Sequence, residues 1–152
     1  MSLLGFLEWL AATPYSVALH ESLFMYPLVE STHVLALTLF VGLAVMLDLR
    51  LLGLALRQVP VSEVIHRLLP WTKAGFLIMM TTGLLLFYAI PVRNYQNLFF
   101  RIKMVMLILA GINVWVFHTR TERSVAAWDL NPITPRGARV AAIVSLLSLI
   151  HI

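Results

Sequence analysis

Five histidines are the residues of this chain best suited to carry chemistry. Imidazole is the commonest metal ligand in proteins, and haem in helical bundles is held by imidazoles projecting from facing helices. Cysteine is absent, which excludes disulfides, cysteine-ligated iron–sulfur clusters and covalent c-type haem attachment. A cofactor held by this chain is therefore predicted to be a b-type haem. The five histidines are His20, His33, His66, His118 and His151.

Three of these histidines are the predicted haem ligands. His33 and His118 border long apolar stretches, where an ionisable side chain is a functional candidate by default. His33 is expected in the outer half of the membrane and His118 near the inner edge, so the two belong to different sites. His66, also near the inner edge, is the third candidate. Two ligand pairs stay open: His66 with His118, and His33 with His20 or His151.

Asp48 ends the charge-free stretch 34–47 and needs a polar partner inside the bilayer. His118 is expected at the same level, so a polar clasp between Asp48 and His118 is predicted in preference to a proton relay. Arg50 points about 200° away from Asp48 and is expected to extend toward the water boundary. No HExxH motif or Gly-rich phosphate loop occurs, so no catalytic residue and no autonomous enzyme are predicted.

Membrane-spanning helices are the elements that must position these residues. The chain has 152 residues, of which 61% are hydrophobic and 12% charged, whereas soluble domains are about half apolar and about a quarter charged. Crossing the hydrocarbon layer takes about 20 mostly apolar residues. The predicted fold is an all-α, polytopic transmembrane bundle forming a single domain over residues 1–152. Its spans are predicted at about 28–56, 70–91, 97–118 and, incompletely, 138–152.

Two shorter segments are predicted outside the spans. Apolar residues recur at helical spacing over residues 2–12, which predicts an amphipathic interfacial helix within an N-terminal segment covering 2–26. A similar apolar stripe over 61–68 predicts a short connecting helix before the second span. Residues 140–152 make only about 20 Å of helix, too short to cross. A truncated gene is therefore expected, with the residues after about Ser145 in doubt.

The basic residues set the expected orientation. More Lys and Arg lie in the first and third connections than in the second, which places the N-terminus outside. These residues alternate with apolar runs and form no single patch, so nucleic-acid binding is not predicted. The lipid bilayer is the expected environment.

Four segments carry a resemblance to a family. They are Glu30 to Gly53 (ESTHVLALTLFVGLAVMLDLRLLG), Pro70 to Gly83 (PWTKAGFLIMMTTG), Asn97 to His118 and the stretch WDLNPITPRGAR from Trp128. In these segments the chain resembles an uncharacterised family of small bacterial multi-pass membrane proteins, a domain of unknown function. The resemblance implies a helical bundle in a bacterial inner membrane and implies no activity. The placement of the histidines is loosely similar to that in four-helix b-type cytochromes and copper-resistance membrane proteins.

Three functions stay open on the sequence. The favoured one is a small bacterial inner-membrane subunit that passes electrons through b-type haem, to or from quinone or a periplasmic redox partner. The second is a non-redox structural or assembly component of a membrane complex, in which the histidines only join helices. The third is a small transporter module, for which three or four helices make a small scaffold.

Overall fold

The computed structural model of the protein describes residues 2–116, 125, 129 and 134–151. Within these residues the chain is helical, and none of them forms a strand. We number the helices in chain order. They are α1 (Leu3–Ala11), α2 (Pro14–Glu21), α3 (Met25–Leu52), α4 (Val61–Ala89), α5 (Pro91–Gln96), α6 (Leu98–Val116) and α7 (Arg136–His151).

Three of these helices, α3, α4 and α6, are long and apolar enough to cross a membrane. Their most apolar windows have mean hydropathies of 2.1, 1.4 and 1.8, in that order. The all-α, polytopic fold class predicted from the sequence is therefore confirmed. α7 has 16 residues, fewer than the roughly 20 that a span needs. The arrangement of residues 1–152 as one membrane domain stays a prediction.

The start of α4 differs from the sequence prediction. A separate short helix and a span beginning near residue 70 were expected, whereas one helix runs from Val61 to Ala89 and contains Pro70. Proline lacks the N–H that would bond to the carbonyl of His66, but one missing bond does not end a helix whose other turns are bonded. The segment expected as a connecting helix is thus the first part of α4.

The end of α3 also lies earlier than expected, at Leu52 instead of near residue 56. Gly53 has a φ of 72°, in the left-handed region that glycine adopts without steric cost. Its N–H bonds to the carbonyl of Arg50 at 3.0 Å, and the N–H of Leu54 bonds to the carbonyl of Leu49 at 2.9 Å. This pair of bonds is the Schellman arrangement, which closes the helix.

Residue contacts divide the chain into two compact units, which we describe separately. The first unit comprises Met1–Leu39 and Ala74–Ile102. In it α1 packs against α5 and against α2. Phe87 of α4 stacks on Phe100 of α6, with ring centroids 5.6 Å apart. The N-terminal helices are therefore docked onto the rest of this unit.

Ser16 of α2 attaches the N-terminal segment to the end of α4. Its buried hydroxyl lies 2.8 Å from the carbonyl oxygen of Tyr88 and 3.4 Å from that of Ala89. These two carbonyls belong to the last turn of α4 and have no partner within the helix. The Thr13 hydroxyl donates to the carbonyl of Leu10 at 2.7 Å, so its oxygen accepts from the Tyr88 hydroxyl at 2.6 Å. Side chains of this segment thus satisfy polar groups at the end of α4.

We expect Ser16→Ala to lower the free energy of unfolding by about 1–2 kcal/mol, because buried carbonyls of α4 lose their donor. Thermal unfolding of the purified protein in detergent measures the loss. Ser31→Ala, which removes the same hydroxyl from an exposed position of α3, is the matched control and should change stability by less than about 0.5 kcal/mol. Equal losses in the two variants would contradict the docking role of Ser16.

The second unit comprises Phe40–Lys73 and Lys103–Ile152. Its core is a cluster of buried apolar side chains that joins the end of α3, the start of α4 and α7. The Asn113 amide of α6 adds a hydrogen bond of 2.9 Å to the carbonyl of Ala141 in α7. The core residues are Leu51, Val61, Ile65, Val125, Ala138 and Ala142.

Candidate functional site

His33 is the sequence-predicted ligand with the most defined surroundings. It lies on α3 in the first unit, and its side chain is half-buried. Its Nδ1 atom is 3.1 Å from the carbonyl oxygen of Met79 and 3.0 Å from Oγ1 of Thr82, both on α4. The Thr82 hydroxyl also lies 2.7 Å from the carbonyl of Ile78. The imidazole is therefore held by backbone and side-chain oxygens of one helical turn.

These contacts identify which ring nitrogen of His33 carries the proton. A carbonyl oxygen can only accept, so the contact with Met79 requires an N–H on Nδ1. The hydroxyl proton of Thr82 is directed to the carbonyl of Ile78, so Oγ1 accepts from the same N–H. In the neutral ring the lone pair is then on Nε2. Metal-bound histidines commonly have this arrangement, in which the other nitrogen donates to a carbonyl.

Gly83 gives the His33 ring its position beside α4. A Cβ atom added at Gly83 would lie 3.1 Å from Cε1 and 3.6 Å from Nδ1 of His33. The first distance is shorter than ordinary carbon–carbon contacts, so a larger residue would displace the ring. This contact between Gly83 and His33 could not be predicted from the sequence, because helical spacing does not show which residues of two helices meet.

The other predicted ligands have less defined surroundings. His66 is exposed on the first part of α4, in the second unit. His20 is exposed on α2, with its ring edge-on to Tyr26 at a centroid distance of 6.0 Å. His118 lies outside the described residues, as does the side chain of His151. Within the described part of the chain, no three His, Cys, Asp or Glu side chains form a metal-binding group.

Asp48 is buried in the second unit, where its side chain is 5% exposed. The side chain of Ser145 on α7 lies beside its carboxyl group. The carboxyl oxygen Oδ2 of Asp48 has no hydrogen-bond partner among the described residues. Asp48 of α3 therefore faces α7 at Ser145. The predicted clasp with His118 stays a prediction because His118 lies outside the described residues.

Arg50 does not extend to the water boundary as the sequence analysis expected. Its side chain is 2% exposed, and its Nε–H donates to the carbonyl of Val59 at 2.8 Å. The chain turns back after Gly53, so the connection 53–60 covers the end of α3 and offers this carbonyl to Arg50. Arg50 was expected to be exposed because it lies near the end of a span. The turn that follows Gly53 buries its side chain instead.

Comparison with known proteins identifies the family. Residues 6–152 match a family of unknown function, DUF6644. The chain belongs to this family. No curated protein and no solved structure matches the chain. The resemblance to an uncharacterised family of membrane proteins is thus confirmed.

A further polar group of this DUF6644 protein was not found from the sequence. The backbone N–H of Ser62, in the first turn of α4, donates to Oδ1 of Asp129 at 2.8 Å, and the Ser62 hydroxyl donates to Oδ2. The hydrogen bonds from Ser62, its hydroxyl first and its N–H second, hold the pKa of Asp129 below its usual value. Asp129 therefore acts as a distant cap of α4, at the helix end where a negative charge is favoured. Its position within WDLNPITPRGAR is the available sequence signal.

Asp129 gives the protein a predicted dependence of stability on pH. Because its pKa is lower in the folded protein, its contribution is fully present above the unfolded value near 3.8 and is lost as the pH falls through the folded value. Since the side chain is partly exposed, we expect Asp129→Ala to cost about 1 kcal/mol at neutral pH. The difference from wild type should shrink as the pH falls below the unfolded value of about 3.8. Thermal unfolding at several pH values measures it, and a difference that grows on acidification would contradict the cap.

Proposed function

We propose that this DUF6644 protein is a small subunit of the bacterial inner membrane in which His33 would hold a b-type haem. The Nδ1–H of His33 is directed at the carbonyl of Met79, and metal-bound histidines commonly direct their other nitrogen at a carbonyl in this way. This single observation carries the proposal. The described residues fit one haem ligand of this kind, an imidazole whose Nδ1 is engaged by Met79 and Thr82.

The residues of this site would hold and orient the cofactor. When bound, a b-type haem supplies one-electron transfer. Met79 and Thr82 fix the tautomer and the plane of the His33 imidazole, and Gly83 leaves the space in which the ring lies. The membrane environment favours a quinone or a periplasmic redox protein as the electron partner.

Optical spectroscopy tests the proposal. The protein is expressed in haem-replete membranes and purified, and its dithionite-reduced minus oxidised spectrum is recorded. We expect the α-band of a b-type cytochrome in the wild type and its loss in His33→Gln. The matched control is His66→Gln, which replaces an exposed histidine and should keep the band. A folded wild type without the band, or an unchanged band in His33→Gln, refutes the proposal.

The proposed orientation places the N-terminus outside, because Lys and Arg are more numerous in the first and third connections. The absence of cysteine allows single cysteines to report it. A membrane-impermeant thiol reagent applied to intact spheroplasts should label Tyr15→Cys on α2 and spare Gln58→Cys, both at exposed positions. The reverse labelling pattern would invert the proposed orientation.

One observation favours a second function, a non-redox structural component. Both hydrogen bonds of the His33 Nδ1 atom join α3 to α4, and this connection stabilises the unit without any cofactor. In that case the wild type is colourless and His33→Gln lowers its thermal stability. The spectrum and the melting temperature of the same two samples therefore separate the two functions.

A further inference from the structure

The first part of α4 extends beyond the apolar layer of a membrane. The helix has 29 residues and is about 43 Å long, whereas the hydrocarbon layer is about 30 Å thick. Its charged residues Glu63, Arg67 and Lys73 all lie in the first half, and none follows before the helix ends at Ala89. The uncharged second half of α4 lies in the hydrocarbon layer. The first turns, which carry Glu63 and Arg67, therefore lie at the level of the lipid headgroups.

A groove of about 320 Å³ lies beside these turns, within the second unit. It is formed by the last turns of α3, the connection 53–60 and the first turns of α4. Glu63, Arg67 and Gln58 supply its polar lining. The remaining lining is apolar and consists of Met46, Leu56, Val59, Pro60, Val64 and Leu68.

Leu56 is held in this groove in an unfavourable conformation. Its φ of 51° lies in the left-handed region, which is unfavourable for a residue with a Cβ atom. Its side chain is nevertheless 40% exposed, so burial within the protein does not offset this cost. Strain of this kind is concentrated at ligand sites. An apolar ligand lying in the groove would cover the Leu56 side chain.

The groove lining carries one cation, Arg67, and one anion, Glu63, so the positive charge that favours an anionic ligand is that of the exposed residues of the same unit. Arg67 pairs with Glu63 at 2.7 Å, but both side chains are exposed, and such pairs contribute little. A guanidinium has five N–H donors, so this pair leaves donors of Arg67 for a phosphate. Further exposed cations of the same unit are Arg57, Lys73, Arg136 and Arg139.

We propose that this groove binds an anionic membrane phospholipid, with the phosphate at Arg67 and an acyl chain along Leu56 and the other apolar lining residues. The site needs both the charge and the apolar lining, which distinguishes it from general attraction to the membrane surface. It is independent of haem and goes beyond the proposed function.

Lipid binding to the delipidated wild type in detergent tests the site. Phosphatidylglycerol and phosphatidylcholine with identical acyl chains are compared by native mass spectrometry and by the lipid-induced shift in melting temperature. We expect phosphatidylglycerol to bind more tightly. Arg67→Gln should weaken its binding about five-fold and Glu63→Gln should strengthen it by a similar factor, because each charge near the headgroup is worth about 1 kcal/mol. Arg93→Gln, the same charge change at an exposed position of the first unit, should leave binding unchanged.

Two further measurements separate the groove from simpler explanations. Leu56→Gly relieves the backbone strain, so it should raise the stability of the lipid-free protein and weaken phosphatidylglycerol binding. Glycerol phosphate should compete poorly, because it lacks the acyl chains. Equal effects of Arg67→Gln and Arg93→Gln, or full competition by glycerol phosphate, would overturn the proposal. So would tighter lipid binding by Leu56→Gly.

Discussion

Replacing Gly83 by leucine is expected to destabilise the protein by about 2–4 kcal/mol. A Cβ atom alone would lie 3.1 Å from Cε1 of His33, and the rest of the leucine side chain would extend further toward the ring. Overpacking at such a position costs about 1–3 kcal/mol. Moving the ring also breaks the hydrogen bonds from Nδ1 to Met79 and Thr82, which adds about 1 kcal/mol. Chemical or thermal unfolding in a mild detergent measures the loss.

Gly42 provides the matched control for this prediction. Among the described residues, a Cβ atom added there meets no neighbouring atom within 4 Å, so Gly42→Leu adds the same side chain to a spanning helix without displacing any of them. Leucine is also a better helix former than glycine, by about 1 kcal/mol. Gly42→Leu should therefore keep or raise the stability. If the two leucine variants have the same stability, His33 does not lie against Gly83.

The same pair of variants bears on the proposed haem. If His33 ligates the iron, Gly83→Leu displaces the ligand, and the α-band should be lost or shifted in a protein that is still folded. Gly42→Leu should keep the spectrum of the wild type. A band that stays unchanged in Gly83→Leu while the stability falls would assign His33 a structural role alone.

The spanning helices were predictable because their signal is local. Three uncharged stretches fix α3, α4 and α6, and their bounds differ from the predictions by a few residues except at the start of α4. That error has a specific cause. Pro70 was interpreted as the start of a helix, whereas α4 is continuous through Pro70. The end of α3 depended on Gly53, whose left-handed conformation closes the helix earlier than its apolar composition indicates.

The partners of the polar side chains were not predictable from depth alone. Counting residues gives the level of Asp48 in the membrane, but it does not identify the helix that faces it. Ser145 of α7 lies beside Asp48, but only His118 was considered as a partner of Asp48 from the sequence. His33 was identified as important because it borders an apolar stretch. Its bonds to Met79 and Thr82 depend on how α4 is rotated about its own axis, which no single-chain pattern specifies.

Arg50→Ala is expected to destabilise the protein by about 3–5 kcal/mol, through loss of a buried cation of the second unit. Arg50 is the largest fully buried side chain of the described residues, so its removal leaves a cavity in the second unit. The carbonyl of Val59 also loses its donor, which costs about 1–3 kcal/mol when the group stays buried. Arg50 further lowers the pKa of Asp129 through its charge, after the hydrogen bonds from Ser62, so the cap of α4 is weakened as well.

Comparison with two further variants separates these contributions. Arg50→Met keeps most of the buried volume and removes only the donor and the charge, so it should lose about half as much stability as Arg50→Ala. Arg139→Ala removes an exposed arginine of α7 and should change stability by less than about 0.5 kcal/mol. Equilibrium unfolding of all three variants in the same detergent measures the order. If Arg50→Ala is as stable as Arg139→Ala, the connection 53–60 does not cover Arg50. The groove, which is lined in part by this connection, would then not have the described form.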